Sequence, residues 1–225
     1  MYPYSSGNTS YSLGQMYGQP YSQYTAPVHF SLQQPPSIQN RCKCKTEVDF
    51  LNMNRLLWME HVNWTRMVIT SIVFNLPNAQ FVVERLLRNA TDLGNSLRPF
   101  YGDQIADRYA SLIHDHLTIA AELVTAAVKG DTATAAAKEK EWYKNADDII
   151  LFLTSINPYL SKSEVQKMFY THLNLTKQEA VSMIQKKYKE DIAVFDQIVM
   201  EAMQMSDMIA EGIIKQFYPL FYRSC

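Results

Sequence analysis

The chain has 225 residues, of which 47% are hydrophobic, and its 21 Lys and Arg nearly balance its 22 Asp and Glu. This length and apolar content suit one domain of ordinary size with an appended segment. The balanced charge gives no overall field that would attract nucleic acid or an anionic membrane. With 7 glycines, the chain does not suit folds that need many tight turns or phosphate-cradling loops.

The first 40 residues contain no Asp, Glu, Lys or Arg. They combine Ser, Gln, Pro and Gly with six tyrosines, namely Tyr2, Tyr4, Tyr11, Tyr17, Tyr21 and Tyr24. Such a segment cannot bury enough apolar surface to fold alone, and aromatic residues among polar spacers favour stacking and strand addition on neighbouring molecules. We therefore predict that residues 1–45 form an extended assembly arm. The alternative is a leader without a role.

Three cysteines lie close to the two ends of the sequence. Cys42 and Cys44 flank a lysine directly after the arm, and Cys225 is the last residue. An odd number of thiols in these places fits cross-links between subunits or free surface thiols better than an internal disulfide framework. A Cys-x-Cys pair can also hold a soft metal, although two ligands alone are a weak signal.

A helical pattern begins at Glu47. The first helix has one mainly apolar stripe with spacings of three, four and seven, namely Leu51, Trp58, Val62, Thr65, Ile69, Ile72 and Leu76. Pro77 ends it, because proline cannot continue the hydrogen-bond ladder. A short helix is predicted from Ala79 to Arg88, and residues 97–102 are predicted to form an irregular connection.

A second long helix is predicted to begin near Asp103, which suits a helix N-terminus. Gly130 is expected to end this helix in a left-handed conformation. A third helix is predicted to start at Asp131 and to stop before Pro158.

Two capping boxes follow. Ser161 with Glu164 predicts a short helix, and Thr176 with Glu179 predicts a last helix of about 40 residues that ends before Pro219. The sequence therefore predicts an all-α fold.

We expect an antiparallel four-helix-type bundle over residues 46–225, with short connecting helices and an N-terminal extended tail over residues 1–45. The N-terminus has neither the basic residues nor the apolar run of a secretory signal. No stretch approaches the roughly 18 to 20 apolar residues that a membrane span needs. We therefore expect a protein made in the cytoplasm, without a membrane span.

Histidines are the strongest candidates for a site. His61, His116 and His172 lie in the similar tripeptides Glu-His-Val, Asp-His-Leu and Thr-His-Leu, which indicates a duplicated helical hairpin or chance. Asp147 and Glu122 could add oxygen ligands, so that these five residues are the predicted site for iron, zinc or manganese. The Glu-x-x-His signature of di-metal bundles is absent. A buried hydrogen-bonded network is the main alternative, and acid–base catalysis is a third.

Other catalytic motifs are absent from the sequence. It contains no Gly-x-Gly-x-x-Gly, no phosphate loop and no Gly-x-Ser-x-Gly elbow. We therefore predict a protein that is not an enzyme and has no cofactor, with a metal ion as the alternative.

Several motifs between Leu56 and Phe217 resemble those of an uncharacterised family of helical-bundle proteins from endospore-forming Bacillota. They are Trp-Met-Glu-His-Val-Asn-Trp-Thr-Arg (58–66), Arg-Leu-Leu-Arg-Asn-Ala-Thr-Asp (85–92), Leu-Arg-Pro-Phe-Tyr-Gly (97–102), Trp-Tyr-Lys-Asn-Ala-Asp-Asp (142–148), Ile-Asn-Pro-Tyr (156–159), His-Leu-Asn-Leu-Thr-Lys-Gln-Glu-Ala (172–180) and Gly-Ile-Ile-Lys-Gln-Phe (212–217). Some members carry an acetylglutamate kinase label. That activity is not expected here, because such a kinase needs an α/β sheet with glycine-rich nucleotide loops.

The resemblance and the composition of the arm together lead to one main hypothesis. The arm is similar in composition to spore-coat and appendage proteins, so we expect a non-enzymatic, self-assembling structural protein of a spore-former, at the spore surface or in mother-cell assembly. Its partners would be further copies of itself in a homo-oligomer or polymer, or another coat or crystal protein, and disulfides would lock the contacts. The alternatives are a ferritin- or hemerythrin-like metal-binding bundle and a chaperone-like accessory factor for crystal or coat assembly.

Overall fold

The structure is a computed structural model that describes residues 45–222. These residues form α1 (Lys45–Val73), α2 (Ala79–Tyr101), α3 (Asp103–Val128), α4 (Thr132–Ile156), α5 (Lys162–Ile184), α6 (Tyr188–Gln216) and the short α7 (Tyr218–Tyr222). No strand occurs in this range, so the predicted all-α class is confirmed. The arm tyrosines and the three cysteines lie outside the described residues.

The six long helices form an antiparallel bundle that closes on itself. Each packs on the next one along the chain, and α6 packs back on α1. Helix α1 also contacts α3 and α5, so the first helices of the three hairpins α1–α2, α3–α4 and α5–α6 approach one another inside the bundle. Their apolar faces share one core, which includes Trp58, Leu93, Tyr109, Ile149, Leu173 and Met205.

Helix α2 is longer than the sequence predicts. It runs through the segment expected to be irregular and ends at Gly102, whose φ of 79° is left-handed. The reason is that Leu93 and Leu97 continue its buried apolar stripe. Pro99 lies in the last turn, where only one backbone hydrogen bond is lost.

The predicted last helix of about 40 residues is wrong, because it is two helices. Helix α5 ends at Ile184, and Lys186 then adopts a φ of 59°. The amide N–H groups of Lys186 and Lys187 donate to the carbonyl oxygens of Met183 and Ser182, which caps the helix end. No glycine or proline marks this turn. Thr176, predicted to begin a helix, is buried within α5.

Two other predicted helix ends are confirmed. Gly130 follows α3 with a φ of 73°, and Asp131 caps α4 by accepting a hydrogen bond from the Thr134 amide at 3.0 Å. The described residues contain no helix that is both long and apolar enough to cross a membrane.

The first and last described helices meet. The Thr46 hydroxyl donates to the Phe221 carbonyl oxygen at 2.7 Å, and the Tyr222 hydroxyl donates to the Glu47 carboxylate at 2.5 Å. The start of α1 and α7 therefore lie side by side.

Gly94 allows α2 to pack closely on α3. A Cβ atom there would lie 2.7 Å from the Ala106 carbonyl oxygen, which is backbone and cannot move aside. We expect Gly94→Ala to lower the free energy of unfolding by about 1 to 3 kcal/mol, as overpacking does, despite alanine's better helix propensity. Gly212→Ala is the control, because its nearest neighbour is the end of the flexible Leu160 side chain. Urea denaturation measures both, and a stabilised Gly94→Ala variant would contradict the close packing.

Candidate functional site

The three hairpins repeat one polar contact in the core. In each, the Nδ1 atom of a histidine on the first helix pairs with a side-chain oxygen on the second helix, 28 or 29 residues later. The pairs are His61 with Asn89 Oδ1 at 3.0 Å, His116 with Asn145 Oδ1 at 2.8 Å, and His172 with Glu201 Oε2 at 2.9 Å. All six residues are buried. The tripeptide similarity in the sequence therefore corresponds to a repeated structural arrangement.

The two asparagines fix the tautomers of their histidines. The amide nitrogen of Asn89 donates to the Leu57 carbonyl oxygen at 3.0 Å, and that of Asn145 donates to the Leu112 carbonyl oxygen at 3.1 Å. Each amide oxygen therefore faces the imidazole and accepts, so the histidine Nδ1 carries the hydrogen. In a neutral ring the lone pair is then on Nε2.

The third hairpin has a carboxylate in place of the amide. Glu201 has no N–H group to donate to the backbone, and its buried Oε1 has no partner among residues 45–222. Its Oε2 accepts from His172 Nδ1. An ionised Glu201 therefore orients its ring as the asparagines do and also brings a negative charge next to it.

The three rings belong to one buried histidine centre, which we define as His61, His116 and His172. The ring centroids of His61 and His172 lie 5.7 Å apart. Burial lowers the pKa of His61 to about 3, and the nearby His172 and His116 lower it further. Burial also lowers the pKa of His116 to about 3. Both rings are therefore neutral at physiological pH.

The Nε2 atoms of the three rings lie on the opposite side from the hydrogen bonds with Asn89, Asn145 and Glu201. Within the described range, the three rings make all their hydrogen bonds through Nδ1. Aromatic rings cover two of them: Trp58 lies 5.5 Å from His61, and Trp142 stacks on His116 at 5.2 Å. The Nε2 atoms therefore have no hydrogen-bond partner among residues 45–222.

The carboxylates predicted as ligands do not join this centre. Asp147 is exposed and accepts a hydrogen bond from the Tyr170 hydroxyl at 2.8 Å. Glu122 is exposed and pairs with Lys138 at 2.7 Å. In residues 45–222, no three side chains of His, Cys, Asp or Glu already stand in a geometry that could hold a metal ion.

Asn89, Asn145 and Glu201 were not predicted as partners from the sequence. Their signal is the common interval of 28 or 29 residues after each histidine. The interval is the number of residues between a position on one helix and the position that faces it on the next helix. It can be recognised as a signal only when the ends of both helices are known.

A second polar cluster joins α1, α5 and α6. Arg66 donates to Glu179 and binds both carboxylate oxygens of Asp191, at 2.8 and 3.0 Å. Its guanidinium also lies over the Phe195 ring, 4.6 Å from the centroid. Burial raises the pKa of Glu179 to about 7, and Arg66 opposes that rise. The Glu179 and Asp191 carboxyl groups thus share one guanidinium group in a largely buried environment.

Comparisons of this chain with protein-family models, with curated proteins and with solved structures found no match. A function for this chain therefore rests on the residues of the site themselves.

The raised pKa of Glu179 gives a pH dependence of stability with a defined sign. Between about pH 4.5 and 7 the folded protein holds a proton that the unfolded chain has released, so this contribution to stability decreases as pH rises. Relative to Glu179→Gln, which cannot titrate, we expect the wild type to lose about 2 to 3 kcal/mol across that window. Urea denaturation at pH 4.5, 6 and 8 measures the difference.

The control for this prediction is Glu84→Gln, which removes an exposed carboxylate. Its stability difference from the wild type should stay nearly constant across the same pH values. A Glu179→Gln curve parallel to that of the wild type would contradict the raised pKa.

Proposed function

We propose that residues 45–222 form a metal-binding helical bundle in which the Nε2 atoms of His61, His116 and His172 hold one divalent ion. One observation carries the proposal: three buried rings are anchored through Nδ1 and leave their Nε2 atoms without a hydrogen-bond partner among the described residues. Histidines that bind metals characteristically donate their other N–H group to a carboxylate, a backbone carbonyl or a water molecule, and the amide oxygens of Asn89 and Asn145 are carbonyl oxygens of the same acceptor strength.

The number of lone pairs favours a metal ion over a buried water molecule. A water molecule can donate two hydrogen bonds, so it would leave one of three acceptors unsatisfied. A metal ion accepts electron pairs from all three nitrogens. The lowered pKa values of His61 and His116 also help, because protons then do not compete for these nitrogens near neutral pH.

The distance between two of the rings is compatible with a shared ion. With zinc–nitrogen bonds of about 2.0 to 2.1 Å in a tetrahedral site, two imidazole centroids lie about 5 Å apart. The centroids of His61 and His172 are 5.7 Å apart. Because the described side chains do not form a complete ligand set, ion binding would require the rings, His116 above all, to move inward.

The donor set also selects among the metals. Three imidazoles suit zinc or iron(II), whereas manganese prefers carboxylate oxygens. Glu201 lies behind His172 and would offset part of the ion's charge. Each ring is only 4% exposed, which supports a structural ion that ties three hairpins together rather than one that meets a substrate.

Metal analysis tests this proposal. We expect about one zinc or iron ion per chain in wild-type protein after mild chelation and reloading, and a rise in Tm on loading. His116→Ala should lose stoichiometric metal and the rise in Tm. Glu201→Gln should keep the orienting contact and bind about 10- to 100-fold more weakly, as outer-shell substitutions do.

The matched control is His114→Ala, because His114 lies on the same helix with an exposed side chain. It should bind metal as the wild type does. Circular dichroism confirms that the variants fold. Trace metal in the wild type, or equal binding by folded His116→Ala, would refute the site.

We also propose, as a second candidate, the assembly role predicted from the sequence. It is favoured by large apolar side chains exposed where α1 meets α2 and where α5 meets α6, namely Phe74, Leu76, Phe81, Tyr188 and Ile192. The rings of Phe74 and Tyr188 are 6.3 Å apart, so both connections lie at one end of the bundle. We define this group as the apolar end, and such surfaces favour burial against another chain.

Sedimentation velocity tests the assembly role. Under oxidising conditions we expect full-length protein to form oligomers, and we expect deletion of residues 1–45 or the pair Phe81→Ser and Ile192→Ser to yield monomers that remain helical. Glu211→Gln, an exposed change at the opposite end of α6 from Ile192, is the control and should leave the oligomers intact. Full-length protein that sediments as a monomer would rule out assembly and leave the metal proposal untouched.

A further inference from the structure

A cavity of about 150 Å³ lies between α1, α3, α4 and α5. It is lined by the residues four positions after each histidine of the centre, namely Thr65, Ala120 and Thr176. Four residues are about one helical turn. The cavity therefore lies one turn beyond the histidine centre, along the first helices of the three hairpins.

Alanine side chains leave this space unfilled. The wall contains five alanines from α3, α4 and α5, namely Ala120, Ala121, Ala127, Ala135 and Ala180. Valine, leucine and isoleucine side chains form most of the remaining wall. The lining is therefore mainly aliphatic, and a larger residue at an alanine position would fill the space.

The polar residues of the inner wall give a water molecule few partners. The Thr65 hydroxyl donates to the His61 carbonyl oxygen at 2.7 Å. Trp142 Nε1 and Thr176 Oγ1 have no surface that a water molecule could reach, so these two residues contribute mainly carbon atoms to the wall. Since a buried water molecule typically makes about three hydrogen bonds, this wall suits an apolar occupant better.

The gap between α4 and α5 provides an entrance. These two helices pack less closely on each other than the other consecutive long helices do. Glu139 and Lys177 line the cavity there and bridge the gap with an ion pair at 2.5 Å, with side chains that are 33% and 43% exposed. Such a half-exposed pair contributes little to stability, so its separation admits a small molecule at little cost.

We infer that this cavity binds a small, neutral, apolar molecule of about the size of benzene. An apolar cavity of about 150 Å³ in another protein stays free of water and binds benzene. Packing against such a ligand restores the dispersion contacts that atoms around an empty space lack. A charged or strongly hydrogen-bonding ligand is disfavoured, because the wall would remove its hydration without replacing it. The inference uses no histidine nitrogen and does not depend on the metal proposal.

Benzene and phenol provide a matched pair of probes, because they have nearly the same shape and differ by one hydroxyl group. In the full-length protein we expect saturable binding of benzene with a dissociation constant of about 1 mM or tighter. Phenol should bind about tenfold more weakly or worse, since its hydroxyl group would be buried without a partner. Titration followed by methyl NMR gives both dissociation constants.

Two further measurements locate the bound probe. Nuclear Overhauser effects should connect the benzene protons with the methyl groups of Leu117 and Val124, which line the cavity. Ala180→Leu should weaken benzene binding about tenfold or more by filling the space, whereas Ala133→Leu, an exposed change on α4, should leave it unchanged. If Ala180→Leu does not fold, the Overhauser effects in the wild type decide the location.

Four results would overturn the inference. They are no saturable binding of benzene, equal affinities for benzene and phenol, Overhauser effects only with methyl groups outside the cavity, and undiminished binding by folded Ala180→Leu. None of these results bears on metal stoichiometry, so failure here is distinguishable from failure of the histidine centre.

Discussion

The structure depends on the need to satisfy a buried imidazole N–H group in each hairpin. Within the core, an unpaired Nδ1–H would cost about 1 to 3 kcal/mol, and in every hairpin the facing helix supplies the oxygen that accepts it. An apolar stripe alone tolerates a helix sliding by one turn. A histidine that must meet one particular asparagine or glutamate does not, so these contacts fix the register of the helices as well as the direction of the rings.

The same contacts explain how much of the molecule is predictable from its sequence. Apolar periodicity and turn chemistry predict the helical class and the ends at Gly130 and Asp131, because both signals are local. The division of the C-terminal half depends on Lys186 taking a left-handed conformation, which no glycine, asparagine or proline in this turn predicts. For the candidate site, the sequence indicates His61, His116 and His172, together with Asp147 and Glu122, which lie elsewhere. It does not indicate the partners of the histidines, because a pairing across helices has no local signature.

Trp142 lies between the histidine centre and a cavity of about 150 Å³. One face of its indole stacks on His116, and the side chain also lines the apolar cavity. A change in the position of the indole would therefore alter both the His116 ring and the shape of the cavity, because close-packed interiors transmit such shifts. Arg66 on α1 binds Glu179 on α5, and these two helices also carry His61 and His172. The ion pair therefore limits how far α1 and α5 can move apart.

The meeting of α1 with α7 has a consequence for chain topology. Because Thr46 and Phe221 are joined by a hydrogen bond, a short linker could connect the two ends of the described range, and new ends could be opened between α4 and α5. Such a circular permutant would keep every hairpin contact while changing the order in which the hairpins leave the ribosome. Because the bundle closes on itself, its packing does not determine which of the three hairpins comes first along the chain.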